Sequence, residues 1–197
     1  MEKSVLGLQM ATDPRWVNIA EMNLQEILVD HAYCEQKAAS SCISLIILYP
    51  DRTRLVECLT PVVAEEWSHF EKVLMKLKER GWQLGPLRKD DYVKALNALI
   101  RKGGDREQQL MERLLLNALI EARSCERFRL LWKELPDADL AKFYYELMVS
   151  EAGHYKLFLS LAKEYVAPEA VDAKWKELLE QESSIMRHRL TRGDRLH

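Results

Sequence analysis

Along most of this chain apolar residues recur every three to four positions, the period of a helix buried on one face, and the runs end at Pro, Gly or Asx residues. Five long helices are predicted. The first runs from about Val17 to Tyr49 and stops at Pro50-Asp51; the second runs from about Arg52 to Arg80, with Pro61 predicting a kink, and stops at Gly81. Residues 81–105 carry Gly85-Pro86 and Gly103-Gly104 around a short helical piece, DDYVKALNALIRK, and are long enough for a crossover. A third helix spans about Arg106 to Leu135 and breaks at Pro136-Asp137; a fourth spans about Ala138 to Val166. The fifth runs from Pro168, tolerated in a first turn, to about Leu190 and leads into a basic tail.

Two tight helix-helix corners separated by one long connection predict an all-α, ferritin-like four-helix bundle: two antiparallel hairpins joined by a crossover, with an additional C-terminal helix as an appendage. The whole chain, 1–197, reads as one domain, with its core at about 17–166, the crossover at 81–105, and the last helix and tail at 168–197. The hairpins look like copies of one unit. HFEKVLMKLKE from His69 aligns with HYKLFLSLAKE from His154 at an offset of 85 residues, which also carries Glu66 onto Glu151; at an offset of 86, Glu35 falls on Glu121.

The repeat contains chemistry. A Glu three residues before a His presents a carboxylate and an imidazole from one helix face, and the pattern occurs twice, as Glu66-Trp67-Ser68-His69 and Glu151-Ala152-Gly153-His154. Either copy alone is an ordinary helix-surface pair. Their frame adds weight: Glu35 stands 15 residues before Pro50 and Glu66 15 after Asp51, while Glu121 stands 15 before Pro136 and Glu151 14 after Asp137. At ~1.5 Å per residue, each hairpin brings its two Glu residues to one height, roughly 22 Å from its corner.

All four Glu positions interrupt apolar seams and therefore point inward. Glu112 and Glu126, off that seam, read as solvated charges. Four buried carboxylates repel one another unless neutralised. Two divalent cations supply the charge, and four Glu with two His form the ligand set of carboxylate-bridged di-iron and di-manganese bundles: Glu35, Glu66, His69, Glu121, Glu151 and His154. Oxygen and nitrogen ligation without thiolate suits Fe or Mn. His31, one turn before Glu35, is either an outer partner or a surface histidine. Tyr144 and Tyr155 read as core, and Asn117 as a buried amide or a partner of Glu121.

The composition is compatible with this. Few Gly (7) and Pro (6) residues in 197, with 48% hydrophobic residues, argue against strands and against disorder. No secretory signal is visible and no run reaches a membrane span, so a cytoplasmic protein without membrane contact is expected. The four Cys form no CxxC, which leaves no thiolate zinc or rubredoxin-type site. A formal charge of -2 excludes a globally polycationic protein, but two bound divalent cations would move it to about +2.

Over most of its length the chain resembles a known family. LVDHAYCEQKAASSCISLI around Glu35, EEWSHFEKVL, LLLNALIEARSCERF around Glu121, and FYYELMVSEAGHYKLFL are similar to the tRNA 2-methylthio-N6-isopentenyladenosine hydroxylases known as MiaE. The resemblance implies a nonhaem di-iron monooxygenase that hydroxylates the isopentenyl group of a hypermodified adenosine beside the anticodon. Two Fe ions, dioxygen as co-substrate, and two electrons from a reductase or ferredoxin-type partner are its corollaries; nothing in the sequence demands assembly, so a monomer is expected, with an oligomer left open. The six Glu and His residues named above map onto the iron ligands. An apolar pocket from Leu28, Ala38, Ala39, Phe70, Ala118, Phe128 and Phe158 would suit the isoprenoid. Basic clusters at Arg88-Lys89, Arg101-Lys102 and Arg106, and at Arg187, Arg189, Arg192 and Arg195, are candidate tRNA contacts or plain solvated charge. The alternative reading is a ferritin-like protein that binds iron or removes peroxide and has no nucleic-acid substrate.

Overall fold

A computed structural model describes residues 5–87, 89–101 and 103–187. These residues are all-α, with four long helices in two hairpins and a further C-terminal helix. The helices are α1 (Arg15–Met22), α2 (Leu24–Leu48), α3 (Thr53–Glu79), α4 (Asp91–Asn97), α5 (Arg106–Glu134), α6 (Ala138–Tyr165) and α7 (Pro168–Arg187), preceded by a single 3-10 turn at Val5–Gly7. The described residues divide into two compact units: 18–89, and the segment through Val17 together with 90–187.

In the first unit α2 and α3 pack as a hairpin around Leu28, Ala39, Cys42 and Leu45 on one helix and Leu55, Leu59, Phe70 and Val73 on the other, all buried. The helix expected from Val17 breaks at Asn23. The Asn23 amide donates to the Ile19 carbonyl at 2.7 Å, a local bond that competes with continuing the helix, and α2 restarts at Leu24. Pro61 lies inside a single continuous α3 on an exposed position, so the missing N–H and the ring face solvent rather than the hairpin.

The second unit holds the α5–α6 hairpin with α4, α7 and the N-terminal segment packed against it. Its helix starts are set by Asp residues. Asp90, Asp105 and Asp137 accept from the backbone N–H groups of Val93, Gln108, and both Asp139 and Leu140, respectively. The last helix is no appendage: α7 buries Val171, Leu178, Leu179, Glu182 and Ser183. The N-terminal segment, outside the expected core, buries Leu8, Thr12 and Trp16, with the Arg127 guanidinium 4.6 Å over the Trp16 ring.

Helix α5 is buried on nearly all sides, 18 of its 29 residues having little exposure, and this corrects two expectations. Glu126 is interior: its carboxylate accepts from the Thr12 N–H and hydroxyl, both at 2.7 Å, and from Arg123 Nη1 at 2.6 Å. Glu112 is interior as well, accepting from the Arg101 N–H at 2.9 Å and facing Arg101 Nε and Lys174 Nζ at 3.3 and 3.7 Å. Both were off the seam facing the hairpin partner, but α5 has further neighbours on its outer side. Arg123 also donates to the Met10 carbonyl and to Glu182, which receives the Tyr92 hydroxyl at 3.1 Å. This network ties the N-terminal segment, α4, α5 and α7 together. Burial pulls the Arg123 pKa down, but Glu126 and Glu182 more than reverse that and hold it charged.

Candidate metal centre

The α2–α3 hairpin brings Glu35, Glu66 and His69 together. Each is at most 4% exposed, and each offers a ligand atom within 4.8 Å of the others. His69 Nδ1 lies 3.6 Å from Glu66 Oε2 and 3.7 Å from Glu35 Oε2. Both separations exceed a hydrogen bond. They approach the spacing of donors on a shared first-row ion, roughly 3.0–3.4 Å for metal-donor distances near 2.1 Å.

The α5–α6 hairpin repeats the set. Glu121, Glu151 and His154 are at most 5% exposed, again with ligand atoms within 4.8 Å of one another. His154 Nδ1 lies 3.1 Å from Glu151 Oε2. The same ring nitrogen thus faces the carboxylate three residues earlier in both copies, the i,i+3 geometry expected of the sequence pattern. Each hairpin offers two hard carboxylates and one imidazole in an interior setting, a donor set that fits a divalent Fe or Mn ion.

The surroundings separate the remaining candidates. His31 has no exposed surface and sits 2.5 Å from Glu35 Oε1, so it is an interior partner of that carboxylate rather than a surface histidine. Tyr144 is interior and packs between Phe128 and Phe143, with ring centroids 5.4 and 5.2 Å away. Tyr155 is half-buried against Trp175, its hydroxyl pKa raised by burial. Asn117 is buried one turn before Glu121. Cys125 lies one turn after Glu121 on the same seam, as its spacing of four residues predicts. Burial first, then the Glu151 carboxylate, push its thiol up to about 12, and it donates weakly to the Met148 carbonyl at 3.5 Å. A thiol held protonated is a poor metal ligand at neutral pH.

Of the apolar candidates, Leu28, Ala39, Phe70, Ala118, Phe128 and Phe158 are buried and Ala38 is half-buried. Among the basic candidates, Lys89, Arg101, Arg106 and Arg187 are exposed, although Arg101 is engaged with Glu112. Arg88, Lys102, Arg189, Arg192 and Arg195 lie outside the described residues. No described helix is long and apolar enough to cross a membrane.

Comparison with known proteins adds an independent line. A family model described as tRNA-(MS[2]IO[6]A)-hydroxylase (MiaE) matches residues 2–197. A tRNA 2-(methylsulfanyl)-N(6)-isopentenyladenosine(37) hydroxylase of Pseudomonas putida is 39% identical over 154 residues, covering 78% of this chain and 74% of that protein. One of the same description from Salmonella typhimurium is 26% identical, covering 91% and 83%. Among solved structures, "Protein 43 with aldehyde deformylating oxygenase activity" from Synechococcus matches with a TM-score of 0.91 at 36% identity, over 96% of this chain and 94% of that one.

Proposed function

Because the chain belongs to the MiaE family of tRNA hydroxylases, we propose that it hydroxylates the isopentenyl group of 2-methylthio-N6-isopentenyladenosine in tRNA as a nonhaem di-iron monooxygenase. The family match along residues 2–197 carries this reading. The reaction balances as one C–H bond, dioxygen, two electrons and two protons giving a C–OH group and water. The electrons come from a reductase or ferredoxin-type partner in the cytoplasm, and the enzyme works as a monomer.

Glu35, Glu66 and His69 hold one iron and Glu121, Glu151 and His154 the other, with Glu residues free to bridge. Bound there, the iron pair supplies the activation of dioxygen that an unreactive C–H bond requires. The chain's own contribution is charge balance, since four carboxylates match two divalent cations and leave the interior neutral. Each hairpin buries apolar residues of the kind that exclude water from an isoprenoid, Leu28 and Phe70 in one and Phe128 and Phe158 in the other. Cys125, kept as a thiol, does not displace a carboxylate.

Nucleoside analysis of tRNA from cells with and without this chain is the test. The hydroxylated isopentenyl adenosine is expected to disappear without it, while the unhydroxylated precursor accumulates. An unchanged profile in cells that make the precursor would sink the proposal.

A further inference from the structure

The internal repeat is unequal one turn before the first Glu of each hairpin. The offset of 86 that carries Glu35 onto Glu121 carries His31 onto Asn117. His31 is 0% exposed, and its Nε2 stands 2.5 Å from Glu35 Oε1. The other oxygen of the same carboxylate, Oε2, faces His69 Nδ1 at 3.7 Å. Glu35 is therefore held from behind on one oxygen and turned toward the donor set with the other. Asn117 is also buried, and it offers a carboxamide where His31 offers an imidazole. The two copies carry different groups one turn before equivalent carboxylates.

We propose that His31 is a positioning residue for Glu35. Its Nε2–H donates to Oε1, fixes the rotation of the carboxylate with Oε2 toward the metal, and makes the ion position of the first hairpin tighter than that of the second. A partner behind a ligating side chain fixes its orientation, and its loss typically lowers metal affinity about 10–100-fold. Two otherwise similar half-sites then fill in order, the Glu35, Glu66 and His69 half first. This inference rests on the metal-centre reading above, and its test separates the two.

The experiment titrates metal-free protein anaerobically with ferrous ions alone, by calorimetry and equilibrium dialysis. The parent is expected to bind two ions in two unequal steps. His31→Ala is expected to weaken the tight step about 10–100-fold and leave the other step unmoved. His31→Gln, whose amide nitrogen can donate to the same oxygen, restores most of the loss. Should His31→Ala fail to fold, as judged by circular dichroism, the size-matched donor-free His31→Leu replaces it with the same expectation. Two equal steps in the parent, or parent-like binding in the donor-free variant, overturns the positioning role. A parent that binds fewer than two ions overturns the metal centre itself.

Discussion

Arg123 directs two donors, Nε and Nη2, at the same oxygen of Glu182, at 3.0 and 2.6 Å, and neither residue has exposed surface. The pair joins α5 to α7 in the interior, and its remaining donors reach Glu126, Thr12 and the Met10 carbonyl. Removing the guanidinium leaves two carboxylates buried without their cation. Arg123→Ala is expected to destabilise the protein by about 3–5 kcal/mol in urea unfolding. Replacing Arg123, Glu126 and Glu182 together by Met or Leu should cost far less, because no charge is left stranded. Equal losses in the single and triple variants would contradict the network's role.

Loading of the metal centre has a direct variant test. Glu66→Ala and His154→Ala each delete one donor from a set of three in their hairpin. Both are expected to keep the helical circular dichroism and to lose two-iron loading, with hydroxylation abolished. Two tightly bound irons per chain in either variant would remove that residue from the ligand set.

Metal removal has a stability signature. With ferrous ion free at about 100 times its dissociation constant, each bound ion adds about 2.7 kcal/mol to the folded state. For a chain of this size that corresponds to roughly 5–10 °C in melting temperature per ion. Scanning calorimetry of chelated and reloaded protein checks it, and coincident melting curves would count against a built-in site.

Thiol chemistry should separate Cys125 from the half-buried thiols. Its pKa, pushed up to about 12 by burial and then by Glu151, keeps the folded state protonated where an unfolded thiol ionises. A group whose folded pKa is raised contributes stability fully below its unfolded pKa and loses that contribution as pH rises toward the folded one. The stabilising contribution is therefore present at neutral pH and fades in strongly alkaline buffer. At pH 8.5, native alkylation followed by peptide mapping should modify the half-buried Cys34 and Cys58 well before Cys125. Labelling of Cys125 at their rate would show its burial to be wrong.

Pro61 offers a stabilising substitution. It sits on an exposed position within α3, where a proline forfeits one helical hydrogen bond and clashes with the carbonyl four residues earlier. Pro61→Ala is expected to raise the unfolding free energy by as much as about 3 kcal/mol, with metal binding retained. A lower melting temperature would mean that the hairpin depends on the distortion.

The helices and the half-sites were legible because each rests on local rules. Pro50-Asp51 and Pro136-Asp137 break helices wherever they occur, and a Glu three residues before a His shares its face in any α-helix. What escaped depends on neighbours. Glu126 shows no sign in its own sequence context that Thr12 lies against it. Glu112 and Glu126 read as solvated because one buried seam was assumed on α5, whereas the segment before Val17, α4 and α7 cover its other sides. Asn23 was lost inside a smooth apolar period, since a single side chain bonded to Ile19 ends α1 without Pro or Gly. The clue that existed was on α7, where Glu182 lies on the same buried face as Leu178 and Leu179.

The covering of α5 bears on how the two copies of the hairpin are free to change. At the offset that relates Glu35 to Glu121, Arg123 and Glu126 correspond to Lys37 and Ser40 of α2, and Ser40 is exposed. A substitution at position 40 meets water, but one at position 126 must be answered at Thr12 or Arg123, and one at 123 also at Tyr92 or Glu182. The outer face of α5 is thus inherited as a set, so positions 12, 123, 126 and 182 should vary together among homologues, while the exposed position 40 on α2 should vary by itself.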